Sequence, residues 1–309
     1  MITLGIDTSN YTTSAALFDG TDYLMRRKIL DVGQGSRGIR QSEGVFIHNR
    51  ELGDMLPELL QDTNEKISAV GVSIRPRNVE NSYMPVFTVG HGYAKAVSAA
   101  LGAKLYEFSH QDGHIMAGIY SSNCYSLLDA PFISVHISGG TTEILVSEFT
   151  GRSFNNKIIG GTLDISVGQL IDRIGVKLGL KFPCGKELEL IANSSENPIK
   201  GLPMAVKGSY MNLSGVETKL MRETGVVPAD MAKSVILYVR DVLIKAIGNA
   251  VNETGIKKVL IAGGVASNMT IRIGIESSVD ADIYFASREL SSDNAVGVAS
   301  LAAMAELMS

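Results

Sequence analysis

Two histidines four residues apart, His110 and His114 in the run SHQDGHIMAG, are the first residues in this chain whose types and spacing could do chemistry. On a helix this spacing puts both imidazoles on one face, within reach of a single metal ion. Gly113 between them weakens a helix slightly, yet a helix start can still present the pair. The same pattern also occurs in pairs that merely cap or pack, so further donors decide its meaning. His136 is a third candidate, at the end of a β-rich run just before Ser138-Gly139-Gly140; its alternative is a half-buried strand histidine. Asp293 is a fourth, in Ser291-Ser292-Asp293-Asn294 ahead of the last predicted helix, where the alternative is a carboxylate favoured by the helix dipole. Three imidazoles and one carboxylate suit Zn²⁺ or Fe²⁺ and fit Mg²⁺ poorly.

Three turns rich in small polar residues follow β-rich runs: Asp7-Thr8-Ser9, Ser138-Gly139-Gly140-Thr141-Thr142, and Gly263-Gly264-Val265-Ala266-Ser267-Asn268. Glycine lets the backbone approach a phosphate closely, while hydroxyls and N–H groups supply donors. Tight hairpins need such residues too, so each turn alone says little. Together they suit a cleft in which two hairpins grip phosphates and the third turn holds the nucleoside. Cys124 and Cys184 lie in no motif that supports covalent catalysis. A metallopeptidase would need H-E-x-x-H, whereas the residue after His110 is Gln111.

The elements that must hold these residues repeat. Residues 2–20 (ITLGIDTSNYTTSAALFDG) run strand, small polar turn, strand and Asp-Gly, and residues 133–151 (ISVHISGGTTEILVSEFTG) keep that order, closing on Gly. Two such hairpins, each opening a half of the chain, predict a duplicated α/β domain. Apolar spacing predicts helices over 51–66, 88–101, 162–179 and 228–254, and an Ala-rich helix from about 293. Buried strands are predicted at 67–74, 103–108 and 258–262. Strands alternating with helices imply a sheet with parallel pairs, covered on both faces. The predicted division is an N-terminal lobe of 1–108, joined by the C-terminal helix at about 294–309, and a C-terminal lobe of 109–293 with the metal and most nucleotide-binding turns.

Of the 309 residues, 45% are hydrophobic and 19% charged, a globular balance. A net charge of −4 argues against a broad basic face, so contact with nucleic acid would need a local patch or a partner. Two cysteines cannot build a disulfide framework. No apolar run approaches the roughly 20 residues of a membrane span, and Met1–Asp7 lacks the basic start of a signal peptide. A cytoplasmic protein without membrane association is expected.

The motifs LGIDTSNYTTSAAL, HQDGHI, SGGTTEI, LDISVGQLIDRIGVKLGLKFPCG, LSGVET, AGGVASN and SDNAVGVAS run in this order over nearly the whole chain. They resemble the TsaD/Kae family, once called O-sialoglycoprotein endopeptidases. The resemblance implies the duplicated two-lobed α/β fold of actin and hexokinase (ASKHA) with a central nucleotide cleft. It implies metal-dependent transfer of a threonylcarbamoyl group from threonylcarbamoyl-AMP to N6 of the adenosine next to the tRNA anticodon. One divalent ion, iron or zinc, would be held by His110, His114 and Asp293. His136 stands where archaeal relatives have a tyrosine ligand and carbamoyltransferase cousins an aspartate, which adds it to the set. Ser138, Gly139, Gly140 and Thr141 would lie along the phosphates, with Asp7, Thr8 and Ser9 as the first phosphate hairpin. Asp172, Gly185 and Asn268, with the Gly263-Gly264 turn, would hold ribose and adenine. The nucleotide would be threonylcarbamoyl-AMP, AMP or ATP. The partners would be tRNA and helper proteins of the TsaB and TsaE types, with homo- or heterodimers expected.

The chain departs from the family's pattern in three places. Ser9-Asn10-Tyr11-Thr12-Thr13 stands where the family has two acidic residues, and Arg75-Pro76-Arg77-Asn78 replaces a Gly-Pro-Gly loop. Asp164-Ile165-Ser166-Val167-Gly168-Gln169 lacks one Asp and the Glu of the family's run. All three fall on the acceptor side. Fewer carboxylates and two arginines, Arg75 and Arg77, would make that side more attractive to an anion; a solvated loop pair is the alternative. A diverged paralogue, a carbamoyl-type transferase or nucleotide-binding enzyme with another acceptor, is therefore the second reading. A non-catalytic partner subunit is the third, and the His pair argues against it because silent relatives lack that pair. A sugar or acetate kinase would need a catalytic Asp near the second hairpin, where none is unambiguous.

Overall fold

The computed structural model describes residues 1–9, 11–30 and 39–309; Asn10 of the first turn lies outside them. In chain order the elements are β1 (Ile2–Asp7), β2 (Thr12–Phe18), β3 (Tyr23–Ile29), α1 (Gln41–Gln61), β4 (Ile67–Arg75), α2 (Phe87–Leu101), β5 (Lys104–Ser109) and α3 (His110–Ser122). Next come β6 (Phe132–Ile137), β7 (Thr142–Phe149), β8 (Phe154–Thr162), α4 (Val167–Lys177), α5 (Gly185–Ala192) and the short strands β9 (Val206–Lys207) and β10 (Tyr210–Met211). Then follow α6 (Ser214–Arg222), α7 (Pro228–Thr254), β11 (Lys258–Ala262), α8 (Met269–Ser278), β12 (Asp282–Phe285) and α9 (Val296–Leu307). Both repeated hairpins are present as antiparallel pairs, β1 with β2 and β6 with β7.

The described residues form two packing units. The first comprises Met1–Tyr125, Phe149–Asn155 and Ser292–Ser309; the second comprises Ser126–Glu148 and Asn156–Ser291. The division expected after residue 108 is drawn differently here. Helix α3 packs along α9, so it belongs with the first unit, and the metal-ligand candidates His110 and His114 go with it.

The first unit holds a sheet of order β3-β2-β1-β4-β5, in which β1, β4 and β5 run parallel. Every residue of β1 is buried, as expected of a strand covered on both faces. Leu4, Ile6, Val70 and Val72 cluster with Leu52, Leu56 and Leu59 of α1 and with Val89 and Ala94 of α2. The alternate positions Gly5 and Gly71 face α9 instead. Each leucine or isoleucine so buried contributes about 1.5–3 kcal/mol, which makes this side chain set the main anchor of the unit. Helix α1 starts at Gln41, well before the predicted 51, because the buried positions of its earlier turns are Gly44, His48 and Glu51, which carry no apolar periodicity; His48 Nδ1 meets Thr13 Oγ1 of β2 at 2.8 Å.

The second unit holds a sheet of order β12-β11-β6-β7-β8-β10-β9, with β6, β11 and β12 parallel. Its core joins β6 and β11 to α4, α7 and α8. Helix α7 spans the predicted 228–254; Pro228 opens it and Gly255, at φ 71°, closes it in the left-handed conformation. Helix α4 starts later than the predicted 162. Residues 154–162 are strand β8, and Ser166 with Gln169 forms a capping box that fixes the first turn at Val167. No described helix is long and apolar enough to cross a membrane.

Candidate metal centre and nucleotide-binding turns

The ends of three parallel strands place the first group of functional side chains. β1 ends on Asp7, β4 passes Ser73 beside it, and β5 ends on Ser109. Ser109 caps α3: its hydroxyl accepts from the Asp112 N–H at 3.1 Å, and Asp112 Oδ2 accepts from the Ser109 N–H at 2.9 Å. The helix therefore begins on His110, and His114 follows one turn later on the same face, with ring centroids 4.3 Å apart. Both Nε2 atoms turn toward Asp293 Oδ1, at 3.4 Å from His110 and 3.1 Å from His114. One donor atom from each of the three lies within 4.8 Å of the others.

Behind this trio stands a second layer. Asp7 Oδ1 lies 3.0 Å from His110 Nδ1, which directs the Nε2 of that ring at Asp293. The Ser73 hydroxyl also donates to Asp7 Oδ1, and the Ser9 hydroxyl donates to Oδ2 at 2.5 Å. Carboxylate behind imidazole is the usual way a metal-binding histidine is oriented. Two imidazoles and a carboxylate, the cluster found among the described residues, leave room for a further ligand and match Fe²⁺ or Zn²⁺. The residues present thus fit a resident divalent ion.

The turn expected as the first phosphate hairpin, Asp7-Thr8-Ser9, directs its side chains inward. All three are buried, and their side chains are committed within the first unit. Thr8 Oγ1 donates to Val86 O at 3.0 Å and accepts from the Gly90 N–H at 3.2 Å.

Electrostatics agree with this assignment. Burial alone would raise Asp7, but His110 and the two hydroxyls hold its carboxyl below the usual 3.8. Burial likewise acts upward on Asp293, and His110 with His114 holds it well below that value. For His110 burial acts downward, yet the Asp7 and Asp293 carboxylates prevail and raise it from 6.5 to about 10. The folded value lies above the unfolded one. The contribution of this charged His110 to stability is therefore complete below about 6.5 and is lost as pH rises through about 10. Metal binding has the opposite dependence, because the ion must displace that proton. Affinity is expected to fall about tenfold for each pH unit below the His110 value, read by competition against a metal buffer. In the same assay Asp7→Asn is expected to weaken binding about 10–100-fold, since the ring loses its orienting charge. Unchanged affinity would remove Asp7 from the site.

Asp293 reaches the histidines through the packing of α9. The Val296 N–H donates to Asn294 Oδ1 at 3.0 Å, and the Ala295 N–H donates to Ser14 Oγ of β2 at 3.1 Å, which fixes the loop before the helix. α9 then runs across β1, β4 and α3. Close approach is possible because four facing positions lack side chains: Gly5, Gly71, Gly113 and Gly297. A Cβ on Gly297 would sit 2.7 Å from the Gly113 carbonyl carbon and 3.0 Å from Ala117 N. Gly113, which in sequence looks only like a weakness in the helix, is where α9 closes on α3.

The remaining nucleotide candidates lie in the second unit. The β6–β7 turn is closed by the Ser138 N–H to Thr141 O at 2.8 Å and the Thr141 N–H to Ser138 Oγ at 3.1 Å. Gly139 and Gly140 have open space where a Cβ would point. Gly263, at φ 103°, crosses the Ile137 backbone closely and brings Gly264–Ser267 beside the end of β6. Asn268 Oδ1 caps α8 by accepting from the Ile271 N–H at 3.1 Å. Both turns thus meet at the carboxyl ends of parallel strands β6 and β11, the usual ligand side of such sheets. Asp172 on α4 accepts from the Cys184 N–H at 2.8 Å and so sits next to Gly185, the first residue of α5. His136 is on β6 in register with Ala262 and Glu143, in the second unit, and is not one of the three clustered donors. Its assignment as a fourth ligand rests on sequence alone.

The TsaD family, described as tRNA N6-adenosine threonylcarbamoyltransferase, matches residues 47–300. The chain belongs to this family. A tRNA N6-adenosine threonylcarbamoyltransferase from Sulfurihydrogenibium sp. (strain YO3AOP1) is 29% identical over 314 residues, covering 97% of this chain and 89% of its own. Among solved structures, HypF of T. kodakarensis superposes with a TM-score of 0.62 at 14% identity, over 99% of this chain and 48% of its own. The ROK hexokinase from Thermus thermophilus gives 0.57 at 12% identity over all of both chains. At such identities the structures speak for the fold, which is the α/β actin/hexokinase type expected from sequence.

Within the TsaD family this chain's departures have local explanations in part. Gln169, in place of a family Glu, accepts from the Ser166 N–H at 3.2 Å and completes the α4 cap. Thr12 is buried in β2, and Tyr11 O accepts from the Leu30 N–H at 2.7 Å. Arg75 ends β4, and the Arg77 N–H donates to Ser82 Oγ at 3.0 Å. Both cysteines are buried and neither forms a disulfide, and burial with nearby Asp172 and Glu187 pushes Cys184 up to about 11, far from a nucleophile's range. Sequence reasoning named Asp7 in another role and missed Ser73; the available signal was their position toward the carboxyl ends of adjacent parallel strands.

Proposed function

We propose that the chain is a metal-dependent acyltransferase that moves a threonylcarbamoyl group from threonylcarbamoyl-AMP to N6 of the adenosine next to the tRNA anticodon. The observation that carries this reading is the convergence of His110, His114 and Asp293, with Asp7 behind His110, in a chain of the TsaD family. An Fe²⁺ or Zn²⁺ ion bound there would polarise the carbamoyl or phosphate oxygens of the mixed anhydride and stabilise the charge that grows during transfer. Asp7 holds the His110 ring with Nε2 toward Asp293, so the donor geometry is set before any ligand arrives. The Ser138–Thr141 turn offers N–H donors and close backbone approach to phosphate, while Asp172, Gly185, the Gly263-Gly264 turn and Asn268 hold ribose and adenine. The adenosine amine attacks the carbamoyl carbon directly: a C–N bond forms, the C–O bond to the phosphate breaks, AMP leaves and the amine's proton passes to solvent. No serine or cysteine nucleophile is needed, in keeping with the raised Cys184.

The test is transfer of the threonylcarbamoyl group to tRNA from threonylcarbamoyl-AMP labelled in its threonine, by the purified, metal-loaded chain together with TsaB-like and TsaE-like helper proteins. Labelled tRNA that depends on the metal is the expected result. Binding of metal and adenine nucleotide without any labelled tRNA would overturn the named acceptor and leave a carbamoyl-type transferase acting on another amine.

A further inference from the structure

β4 ends on Arg75, whose Cα lies opposite Ser109, the residue that caps α3 and precedes His110. Adjacent strands are about 4.8 Å apart, so the Arg75 side chain starts next to the metal-bearing helix. What holds it there is a neutral amide. Arg75 Nε and Nη2 donate to Asn78 Oδ1 at 3.3 and 3.2 Å. Asn78 Nδ2 donates in turn to Asp112 Oδ2 at 2.7 Å and to Phe154 O at 3.4 Å. Asp112 is fully buried in the α3 cap and also accepts from the Phe154 N–H at 3.2 Å. The Gln111 N–H donates to Pro76 O at 3.1 Å, so the loop is stitched to the first turn of α3 at two points.

The consequence is an exposed guanidinium held by two hydrogen bonds to a neutral amide rather than by a carboxylate. Among the described residues no carboxylate lies within ion-pair distance of Arg75, and its Nη1 has no partner. An ordinary surface arginine stays mobile, because holding so long a side chain in one place costs rotamer entropy. A preorganised, unneutralised fork is the arrangement that captures a planar or tetrahedral oxyanion.

We propose that Arg75, set by Asn78, binds an oxyanion of the substrate at the His110–His114–Asp293 centre. The oxyanion is either the free carboxylate of the transferred threonylcarbamoyl group or a phosphate of the acceptor nucleotide. Arg75 is the binding residue and Asn78 the positioning residue. The inference rests on the metal-centre reading for its location, but its test has a separate readout. N-carbamoyl-L-threonine and inorganic phosphate are titrated calorimetrically into wild type, Arg75→Gln, Arg75→Lys and Asn78→Ala, each with and without zinc, with zinc content measured on the same samples.

Arg75→Gln is expected to weaken one probe about tenfold or more, the loss typical of a charge-assisted contact. The affected probe identifies the source, carboxylate or phosphate. Arg75→Lys and Asn78→Ala are expected to fall between, since one keeps the charge without the fork and the other keeps the fork without its anchor. Equal affinity of wild type and Arg75→Gln for both probes, including no measurable binding by either, overturns the proposal. A wild type that holds no stoichiometric zinc would instead sink the metal centre, and a loss confined to Arg75→Gln in the zinc-free samples would still uphold the oxyanion site.

Discussion

His114→Ala is expected to abolish stoichiometric metal binding and, with it, threonylcarbamoyl transfer. The side chain is 8% exposed, and its Nε2 stands 3.1 Å from Asp293 Oδ1, so it contributes one of the three donors clustered among the described residues. Two donors remain after the change, which is fewer than a resident catalytic ion uses. Loss of an orienting partner alone costs about 10–100-fold in metal affinity, and loss of a ligand should exceed that. The fold should survive. Asp293 keeps its contact with His110 at 3.4 Å, and losing one charged hydrogen bond typically costs about 1.5–3 kcal/mol. Metal content by elemental analysis after anaerobic preparation, with unfolding followed in parallel, separates the two effects. A His114→Ala protein that retains one ion per chain would remove the trio from any catalytic role.

Gly297→Val is expected to damage the same centre from a distance. Gly297 is no ligand, but a Cβ there would press on the Gly113 and Ala117 backbone of α3, and backbone of a packed helix cannot move aside cheaply. Overpacking of this kind costs about 1–3 kcal/mol, with larger values where backbone is struck. The helix can relieve the clash only by moving away from α3, and Asp293 sits in the loop that leads into that helix. Stability and metal affinity should therefore fall together. Gly92→Ala is the matched control. It lies inside α2 with open space where the methyl would point, and it should be neutral or stabilise by about 0.5–1 kcal/mol. Full metal affinity in a Gly297→Val protein that is clearly destabilised would show that α9 does not set the position of Asp293.

Much of the site is legible in the sequence because its cues are local. The spacing of His110 and His114 requires only one helical turn, and Ser109 with Asp112 marks the start of that helix within four consecutive residues. Other features mislead because their partners are remote. Asp7 sits in a turn of small polar residues, and nothing local shows that His110, separated from it by 103 positions, meets its carboxylate. Gly113 reads as a helix weakness until Gly297 is packed against it. Helix α3 reads as the start of a second lobe until its contacts with α9 join it to the first.

The sequence by itself determined what short-range forces control. Apolar periodicity set the strands β1, β4 and β11 and the helix α7, capping residues set where α3 begins, and the repeated hairpin announced a duplicated fold. The tertiary structure alone decided which carboxylates face the histidines. Asp293 lies 179 positions from His114, and no local rule links them. They meet because four glycines let α9 lie directly on β1, β4 and α3, a close approach of backbones that depends on the packing of the whole unit.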